Sequence, residues 1–262
     1  MSEARLDAEM VARGLCSGRE RARSEIEAGH VTVNGRKAVK ASQRVSPEDT
    51  IELSEFFDYV SRGAKKLLRA FEAFGISPEG LVCADCGAST GGFTQVLLRH
   101  GASRVYAIDV GRGQLAQLLR DDPRVVSMEE TNVRTLTPEL FDRVPQLITA
   151  DLSFISLSLV LPVLRVLLAD GGRVICLVKP QFEAGRGRVG KKGVVKDAAV
   201  HEEVLRGFCS CAEENGFTLL GLDVSPIRGP EGNIEFLALL GTSGESLAPD
   251  IPALVKLAHA SV

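Results

Sequence analysis

The chain has 262 residues, of which 45% are hydrophobic and 25% are charged, and its formal net charge is −3. This is the composition of an ordinary globular protein, long enough for one large domain or for a large and a small one. The overall charge does not indicate a nucleic-acid-binding protein, so such a function would need local basic patches.

The first 57 residues predict a small module of helices and short strands. Apolar residues recur at helical spacing between Leu6 and Leu15, and a second helix is predicted to end at Gly29. The segment HVTVNGRKAV predicts a strand, an Asn34-Gly35 turn and a second strand, and DTIEL predicts a third. We therefore expect a compact α+β domain over residues 1–57.

Positive charge is concentrated in this module. Residues 13–44 hold eight lysines and arginines against three glutamates. Most charge runs are solvated helix faces. An excess of five positive charges in so short a segment is also what a phosphate-binding surface needs. Both interpretations stay open on composition alone.

From residue 58 onward, strand and helix patterns alternate. Continuous apolar strands between helices predict a mostly parallel sheet covered on both faces, and hence an α/β domain over residues 58–262. Ligands of such sheets bind at the carboxyl ends of the strands, near the point where the strand order reverses. The predicted strands are GLVCAD, RVYAIDV, RVVSME, QLITADLS, RVICLVKP, FTLLGLDV and NIEFLALLG, and the helices are GGFTQVLLRHG, GQLAQLLRD, ISLSLVLPVLRVLLADG and AAVHEEVLRGFCSCAEENG.

A glycine-rich turn, DCGASTGGF, follows the first of these strands. It lacks the lysine of a nucleoside-triphosphate loop. It also departs from the dinucleotide pattern, because Ser89 stands where that pattern has the glycine that admits a pyrophosphate. S-adenosylmethionine has no pyrophosphate and fits such a turn. Asp109, at the end of the next strand, suits the ribose hydroxyls of either cofactor, so it does not decide between them.

Two opposite charges lie at the ends of later strands. Asp151 ends the strand in ADLSFISL, and Lys179 ends the strand in CLVKPQFE. Each follows apolar residues, where an unpaired charge would be costly. A single strand-end charge is usually solvated, but two opposite charges on neighbouring strand ends favour a functional site at the cofactor edge.

Neither metal binding nor membrane insertion is indicated. Cys83 and Cys86 form a lone CxxC inside an apolar run, where cysteine is usually a small core residue. The start, MSEARLDAEM, lacks the apolar core of a signal peptide. The most apolar stretch, 155–169, contains Pro162 and Arg165 and is too short to cross a bilayer. We expect a cytoplasmic protein without a metal and without a membrane partner.

Motifs along the whole chain resemble one family. The first module, RLDAEMVARGLCSGRERARSEIEAGHVTVNG, is similar to the S4 RNA-binding domain. The segments YVSRGAKKL, DCGASTGGFT, YAIDVGRGQL, ADLSFISL, LVKPQFEAGRGRVGKKGVVKD and GNIEFL follow in the order of the TlyA family. These are ribosomal RNA 2′-O-methyltransferases, often labelled hemolysin-like. The resemblance implies a Rossmann-like class I methyltransferase domain with a seven-stranded sheet behind an S4-like domain.

The resemblance also implies site residues and partners. The cofactor would be S-adenosylmethionine and the substrate a cytidine ribose in 16S or 23S ribosomal RNA. By motif, the catalytic residues are Lys66, Asp151, Lys179 and Glu235, with Lys65 adjacent to the first. The cofactor-binding residues are Asp85, Gly87, Ala88, Ser89, Thr90, Gly91, Gly92, Asp109 and Asn132, the last beside the adenine.

Basic residues in both domains are expected to contact the RNA of the ribosomal subunits. One group lies in and just after the S4-like module, and the other lies in the basic segment 182–196, which is otherwise an ordinary surface loop. They are Arg5, Arg19, Arg21, Arg23, Arg36, Lys37, Arg62, Arg186, Arg188, Lys191 and Lys192.

The residue types suit the reaction. A ribose 2′-hydroxyl is a poor nucleophile until it loses its proton, and a lysine accepts that proton only while neutral. We expect Lys179 to be the base and Asp151 and Glu235 to orient the amines. No metal is needed, because the methyl group already carries its leaving group. The alternatives are an RNA-binding or ribosome-assembly factor, a membrane-active hemolysin and an NAD-dependent oxidoreductase.

Overall fold

A computed structural model describes residues 3–27, 29–53, 59–190 and 192–260. The chain separates into two compact units, Met1–Asp58 and Tyr59–Val262. The domain boundary expected between residues 57 and 58 falls within 54–58, outside the described residues.

The first unit pairs two short helices with short strands. The Asn34-Gly35 turn joins two of these strands as predicted, with both residues at positive φ. A separate two-stranded ladder, β1 with β4, was not predicted, since two residues carry too little periodicity to be read. The elements are β1 Ala4–Arg5, α1 Leu6–Ala12, α2 Arg19–Glu27, β2 Val31–Val33, β3 Arg36–Lys37, β4 Arg44–Val45 and β5 Ile51–Leu53.

The core of the first unit explains its helices. Leu6 and Met10 of α1 pack with Ala22 and Ile26 of α2 and with Val31, and all five are buried. The i, i+4 spacing places each helix pair on one face, as the apolar pattern predicted.

The second unit is built on a seven-stranded sheet. The strand order is β11-β12-β10-β9-β6-β7-β8, and β12 alone runs antiparallel to its neighbours. The predicted mostly parallel seven-stranded α/β fold is confirmed. The elements are α3 Ala64–Phe74, β6 Val82–Cys86, α4 Gly92–Arg99, β7 Arg104–Ile108, α5 Gln117–Arg120, β8 Val125–Met128, β9 Leu147–Ala150, α6 Leu161–Leu167, β10 Arg173–Val178, α7 Pro180–Glu183, α8 Ala198–Glu214, β11 Thr218–Val224, β12 Phe236–Gly241 and α9 Ile251–Ala260.

The strand order reverses at β6. Its neighbours β7 and β9 lie on opposite sides, so the carboxyl end of β6 is the switch point at which ligands of such sheets bind. The central strands β6, β9 and β10 are buried except for Arg173 at the start of β10, because helices cover both faces, which matches their largely apolar sequences.

One predicted helix is divided. The segment 155–171 was expected to be a single helix, but it forms a 3-10 turn at Leu157–Leu159 followed by α6. Pro162 lies in the first turn of α6, where its missing N–H costs nothing, so it marks a helix start. Within the described residues no helix is both long and apolar enough to cross a membrane.

Candidate active site

Four charged side chains meet at the carboxyl edge of the sheet. Asp151 follows β9 and Lys179 follows β10. Glu235 directly precedes β12, whose antiparallel direction brings its first residue to the same edge. Lys66 lies in the first turn of α3. The structure therefore brings together all four residues that the family motif singled out.

The four groups form a chain of ion pairs with Asp151 in the middle. Lys179 Nζ lies 2.6 Å from Asp151 Oδ1, and Lys66 Nζ lies 3.3 Å from Oδ2. Lys66 Nζ also lies 2.7 Å from Glu235 Oε2. Lys179 donates to Ser153 Oγ at 3.2 Å. Lys66 is thus held by two carboxylates, whereas Lys179 is held by one carboxylate and a hydroxyl.

These charges are withdrawn from water. Lys66, Lys179 and Glu235 are 7%, 6% and 1% exposed, which leaves their mutual pairing as the main stabilisation of each charge. Burial opposes ionisation of Asp151, but the two lysines outweigh it and lower the pKa of its carboxyl. Burial likewise disfavours the charge on Lys66, but Asp151 and Glu235 outweigh it and raise the pKa of its ammonium. Lys66 is therefore firmly charged at neutral pH.

A cavity of about 660 Å³ adjoins this cluster at the switch point. Its lining includes Gly87, Ser89, Asp109, Asn132 and Asp151. The volume lies within the usual range for a small-molecule site. Asp151 is common to the cavity and to the ion-pair cluster, so a ligand bound there lies next to the two lysines.

The glycine turn forms one wall of the cavity by close backbone approach. Gly87 has φ +88°, and a β-carbon there would lie 2.6 Å from the carbonyl oxygen of Asp151. Gly91 has φ +96°, and a β-carbon there would lie 2.1 Å from a methyl group of Leu119. No side chain fits at either position without displacement of its neighbours. Ser89 also adopts a left-handed conformation, at φ +48°.

Asp109 closes the turn from the next strand. Its Oδ2 accepts from the backbone N–H of Ser89 at 2.8 Å, and its Oδ1 accepts from that of Gly111 at 2.7 Å. A carboxylate oxygen has capacity for a second donor, and a ribose diol offers two hydroxyls. Asn132 lies across the cavity, where its side chain caps a 3-10 turn by accepting from Arg134 N–H at 3.0 Å.

The expectation that Asp85 contacts a cofactor needs correction. Its side chain is fully buried within the sheet and is not part of the cavity lining. Thr94 and Thr149 donate to its two oxygens at 2.7 and 2.9 Å. Burial raises the pKa of Asp85 to about 6. Asp85 therefore ties β6, β9 and α4 together beneath the turn. Of the other predicted turn residues, Ala88, Thr90, Gly91 and Gly92 also lie outside the lining.

Sequence reasoning missed Phe154. This side chain lines the cavity, is 92% exposed, and has φ +63°. Its ring centroid lies 5.2 Å from that of Phe182 in α7, the short helix that follows Lys179. In ADLSFISL the phenylalanine resembled an ordinary core residue, and no local pattern signalled its left-handed backbone. The CxxC cysteines are core residues, and burial raises the pKa of Cys83 to about 12.

The predicted RNA-binding residues occupy different settings. Arg5, Arg19 and Arg23 meet at one carboxylate of the first unit, whereas Arg21 pairs with Glu25. Exposed positions are taken by Arg36, Lys37, Arg62 and Lys192. Arg188 pairs with Glu203, Arg186 begins a short 3-10 turn, and Lys191 lies outside the described residues.

Comparison with known proteins agrees with this layout. Residues 59–242 match the model of the FtsJ-like methyltransferase family, and residues 4–51 match that of the S4 domain. The 16S/23S rRNA (cytidine-2′-O)-methyltransferase TlyA of Mycobacterium tuberculosis is 49% identical over 91% of this chain and 90% of its own. Hemolysin A of Brachyspira hyodysenteriae is 43% identical over 89% of this chain and 98% of its own.

A solved structure matches both units. A hemolysin-named protein of Streptococcus thermophilus is 44% identical and superposes with a TM-score of 0.80, covering 100% of this chain and 97% of its own. The resemblance noted in the sequence therefore extends over the whole chain.

Proposed function

Since the chain belongs to the FtsJ-like methyltransferase family and carries an S4 domain, we propose that it methylates the 2′-oxygen of a cytidine ribose in 16S or 23S ribosomal RNA. One observation carries the proposal. Asp151 binds both Lys66 and Lys179 and also lines the cavity at the switch point. A hydroxyl placed beside these amines lies next to the ligand in that cavity.

The cofactor is S-adenosylmethionine, which supplies an electrophilic methyl group on a sulfonium leaving group. The cavity suits it, because it offers a carboxylate for the ribose diol at Asp109, a side-chain amide at Asn132, and backbone exposed at Gly87. A β-carbon at Gly87 would collide with the wall of the turn. These residues orient the ligand and bring it close to Asp151. Positioning of the reacting atoms in line supplies much of the rate in such a transfer.

We assign the role of general base to Lys179. Lys66 is held by two carboxylates that raise the pKa of its ammonium, so it keeps its proton. Lys179 shares one carboxylate with Lys66, donates to the Ser153 hydroxyl, and lies over the Phe182 ring with Nζ 5.9 Å from its centroid. It therefore has one carboxylate partner where Lys66 has two. In this assignment Asp151 orients the Lys179 amine towards the ribose hydroxyl. Glu235 fixes Lys66, whose charge stabilises the oxygen as its proton leaves.

The S4 domain would deliver the RNA. S4 domains bind RNA, and Arg5, Arg19 and Arg23 of this unit remain partly exposed around the buried carboxylate of Asp7. Since ribosomal subunits are cytoplasmic, we place the activity in the cytoplasm. The hemolysin names of some relatives add no membrane role to this proposal.

Transfer of a labelled methyl group tests the function. The full-length protein is incubated with methyl-labelled S-adenosylmethionine and with separated 30S and 50S subunits that lack the modification. Label on a cytidine 2′-oxygen, mapped by blocked alkaline cleavage at that ribose, is the expected result. Label on a base instead, or RNA binding without any transfer, would refute the proposal. NAD replaces S-adenosylmethionine in a control binding titration, in which no heat of binding is expected.

A further inference from the structure

The Lys179 amine has one charged and one neutral hydrogen-bonding partner. Its Nζ lies 2.6 Å from Asp151 Oδ1 and donates to Ser153 Oγ at 3.2 Å. The lysine is 6% exposed, whereas Ser153 is exposed and lines the cavity. Asp151 and Ser153 both contact the amine and both line the cavity, so together they determine where the amine stands relative to a bound ligand.

The backbone on both sides of Ser153 is constrained. Before it, the Asp151 N–H donates to the carbonyl oxygen of Cys86 at 3.1 Å, which continues the pairing of β9 with β6. After it, Phe154 has φ +63°, in the left-handed region that a bulky side chain rarely adopts. Such a conformation persists only where the surrounding structure determines it. Ser153 therefore lies in a turn of fixed geometry.

The helix that follows Lys179 anchors the far end of this turn. Glu183, in α7, accepts from Ser156 Oγ at 2.6 Å and from the Leu157 N–H at 2.9 Å. The same helix begins directly after Lys179. The lysine and the serine are therefore carried by two segments that are bound to each other close to the point where the side chains meet. The fold itself maintains the hydrogen bond between Lys179 and Ser153.

We propose that Ser153 is a positioning residue for methyl transfer, which aims the Lys179 amine at the ribose 2′-hydroxyl. The inference rests on the proposed function, in which Lys179 is the base, and it adds a residue to that site. A neutral amine carries two hydrogens and one lone pair besides its carbon. If Asp151 and Ser153 accept the two hydrogens, the lone pair is left with a single direction. The ribose O–H bond then breaks and an N–H bond forms on Nζ, and the resulting ammonium keeps both partners.

Lys66 shows why a hydroxyl suits this place. Its amine also has two acceptors, but both are carboxylates, those of Asp151 and Glu235. They outweigh burial and raise the pKa of the Lys66 ammonium, so this lysine keeps its proton. Ser153 accepts a hydrogen bond but carries no negative charge. It therefore directs the Lys179 amine without placing a second carboxylate beside it.

Three substitutions in the full-length protein test the proposal. Ser153→Ala removes the hydroxyl, and Ser153→Thr keeps it. Ser158→Ala makes the same change as the first at an exposed serine of the same segment, outside the cavity lining. Single-turnover transfer from methyl-labelled S-adenosylmethionine to ribosomal subunits is measured at saturating concentrations, so that weaker binding does not enter the rate.

We expect Ser153→Ala to lower the rate about tenfold, equivalent to ~1.4 kcal/mol of barrier. Ser153→Thr should restore most of this loss, and Ser158→Ala should transfer the methyl group at the wild-type rate. A Ser153→Ala rate within about twofold of the wild type would overturn the proposal. So would a loss in Ser153→Thr or in Ser158→Ala as large as that in Ser153→Ala.

A second background shows whether Ser153 acts through Lys179. Arginine does not lose its proton, so Lys179→Arg has no lone pair to aim. Adding Ser153→Ala to Lys179→Arg should therefore lower the residual rate by less than about twofold, whereas independent roles would give the same loss in both backgrounds. Equal losses would overturn the proposal. If Lys179→Arg shows no measurable transfer, the comparison of alanine with threonine at position 153 decides alone.

Methyl transfer by the wild type is scored separately. If the wild type methylates a cytidine 2′-oxygen and Ser153→Ala is equally fast, the positioning role of Ser153 is wrong and the proposed function stands. If the wild type transfers no methyl group to ribosomal RNA, the proposed function fails and the role of Ser153 fails with it.

Discussion

The two lysines of the active site share one carboxylate but are not equivalent. Lys66 is held between two carboxylates, Asp151 and Glu235, whereas Lys179 has one carboxylate partner, Asp151, besides the Ser153 hydroxyl and the Phe182 ring. A base must give up its own proton before it accepts another. Asp151 and Glu235 raise the pKa of the Lys66 ammonium above the opposing effect of burial, so Lys66 keeps its proton and the role of base is left to Lys179. This difference in partners leads to a prediction for each lysine.

Lys179→Arg is expected to be nearly inactive although it keeps the positive charge. Arginine does not lose its proton in a protein, so it cannot accept one from the ribose hydroxyl. Lys66→Arg makes the same chemical change at a position where the charge is permanent, so it should retain more activity. The measurement is single-turnover methyl transfer at saturating S-adenosylmethionine and RNA, with cofactor affinity as the control. A Lys179→Arg rate within about tenfold of the wild type, or ~1.4 kcal/mol of barrier, would show that Lys179 is not the base.

His201 gives the protein a stability that depends on pH. The side chain is 0% exposed, and Nδ1 lies 2.9 Å from Nε2 of His259, which ties α8 to α9. Burial and the nearby His259 lower the pKa of His201 from 6.5 to about 4. Between pH 4 and pH 6.5, His201 therefore binds a proton in the unfolded chain but not in the folded chain. The contribution of His201 to the free energy of unfolding is therefore fully present above pH 6.5 and is lost as the pH falls towards 4. The loss is about 2 kcal/mol between pH 7 and pH 5.

Urea unfolding at pH 7 and pH 5 measures this effect. His201→Phe removes the titration and keeps an aromatic ring against Phe236, which His201 contacts edge-on at 5.9 Å. Between pH 7 and pH 5, the free energy of unfolding should fall by about 2 kcal/mol less in the variant than in the wild type. Comparison with the variant is necessary because Asp85, with its pKa raised to about 6, acts in the opposite direction. The same pH dependence in both proteins would be inconsistent with the assignment.

At the level of secondary structure, the glycine turn between β6 and α4 determines how close a ligand can come. Gly87→Ala places a methyl group 2.6 Å from the Asp151 carbonyl oxygen at a positive φ. Gly171→Ala, before β10, also has a positive φ, of +73°, but its methyl group meets nothing within 4 Å. The two variants share the cost of a left-handed alanine, about 1–2 kcal/mol. Any further loss of stability in Gly87→Ala beyond that in Gly171→Ala therefore measures the contact between the added methyl group and the Asp151 carbonyl oxygen.

We expect both variants to be less stable in urea and only Gly87→Ala to lose S-adenosylmethionine binding. Gly171 lies at the amino end of β10, at the edge of the sheet away from the cavity. Isothermal titration of the cofactor separates the two outcomes. Normal cofactor affinity in Gly87→Ala would mean that the turn yields and is not the wall of the site.

The sequence predicted the elements that have a strong period and missed those determined by tertiary contacts. The buried strands and α8 carry uninterrupted apolar or helical patterns, and all were predicted. The terminal helix α9, although amphipathic, was not, and α3 was quoted only as part of a motif. The 3-10 turn at Leu157–Leu159 depends on Glu183, which accepts from Ser156 Oγ and Leu157 N–H from another helix. Such a contact has no local signature.

The same distinction holds for the site. Asp151 and Lys179 were predicted because a charge after an apolar strand is unusual and parallel strands end at one edge. Lys66 and Glu235 came only from the family motif, since nothing in AKKL or NIEFL shows that they meet across 169 residues of chain. The burial of Asp85 and the exposure of Phe154 depend on the packed sheet, so sequence position alone misjudged the first and overlooked the second.

At the level of the whole molecule, binding of RNA depends on how charge is arranged in the first unit. Residues 1–57 hold nine lysines and arginines and ten acidic residues, a net charge of −1. Net charge alone would not draw this unit to RNA. Arg5, Arg19 and Arg23 nevertheless converge on Asp7, and Arg44 lies opposite Arg5 in the ladder between β1 and β4. The local arrangement of these arginines therefore supplies the attraction to RNA that the net charge of the unit does not.

Removal of residues 1–57 tests whether the first unit delivers the RNA and the second unit binds the cofactor and transfers the methyl group. The rest of the chain contains the complete cavity and all four clustered charges, and it has its own core, so the truncated protein should fold and bind S-adenosylmethionine as the full chain does. Its methylation of ribosomal RNA should fall severely, because the S4 domain proposed to deliver the RNA is gone. The salt dependence of RNA binding should also become shallower, since fewer phosphates are contacted.

Cofactor titration and cooperative unfolding serve as controls in this truncation, because they show that the loss does not come from a damaged methyltransferase unit. Excess RNA at low salt provides a second check, since a defect in substrate delivery is partly overcome by concentration whereas a defect in chemistry is not. Ribosomal RNA methylation at the full-length rate and with unchanged salt dependence would show that the methyltransferase unit finds its substrate alone.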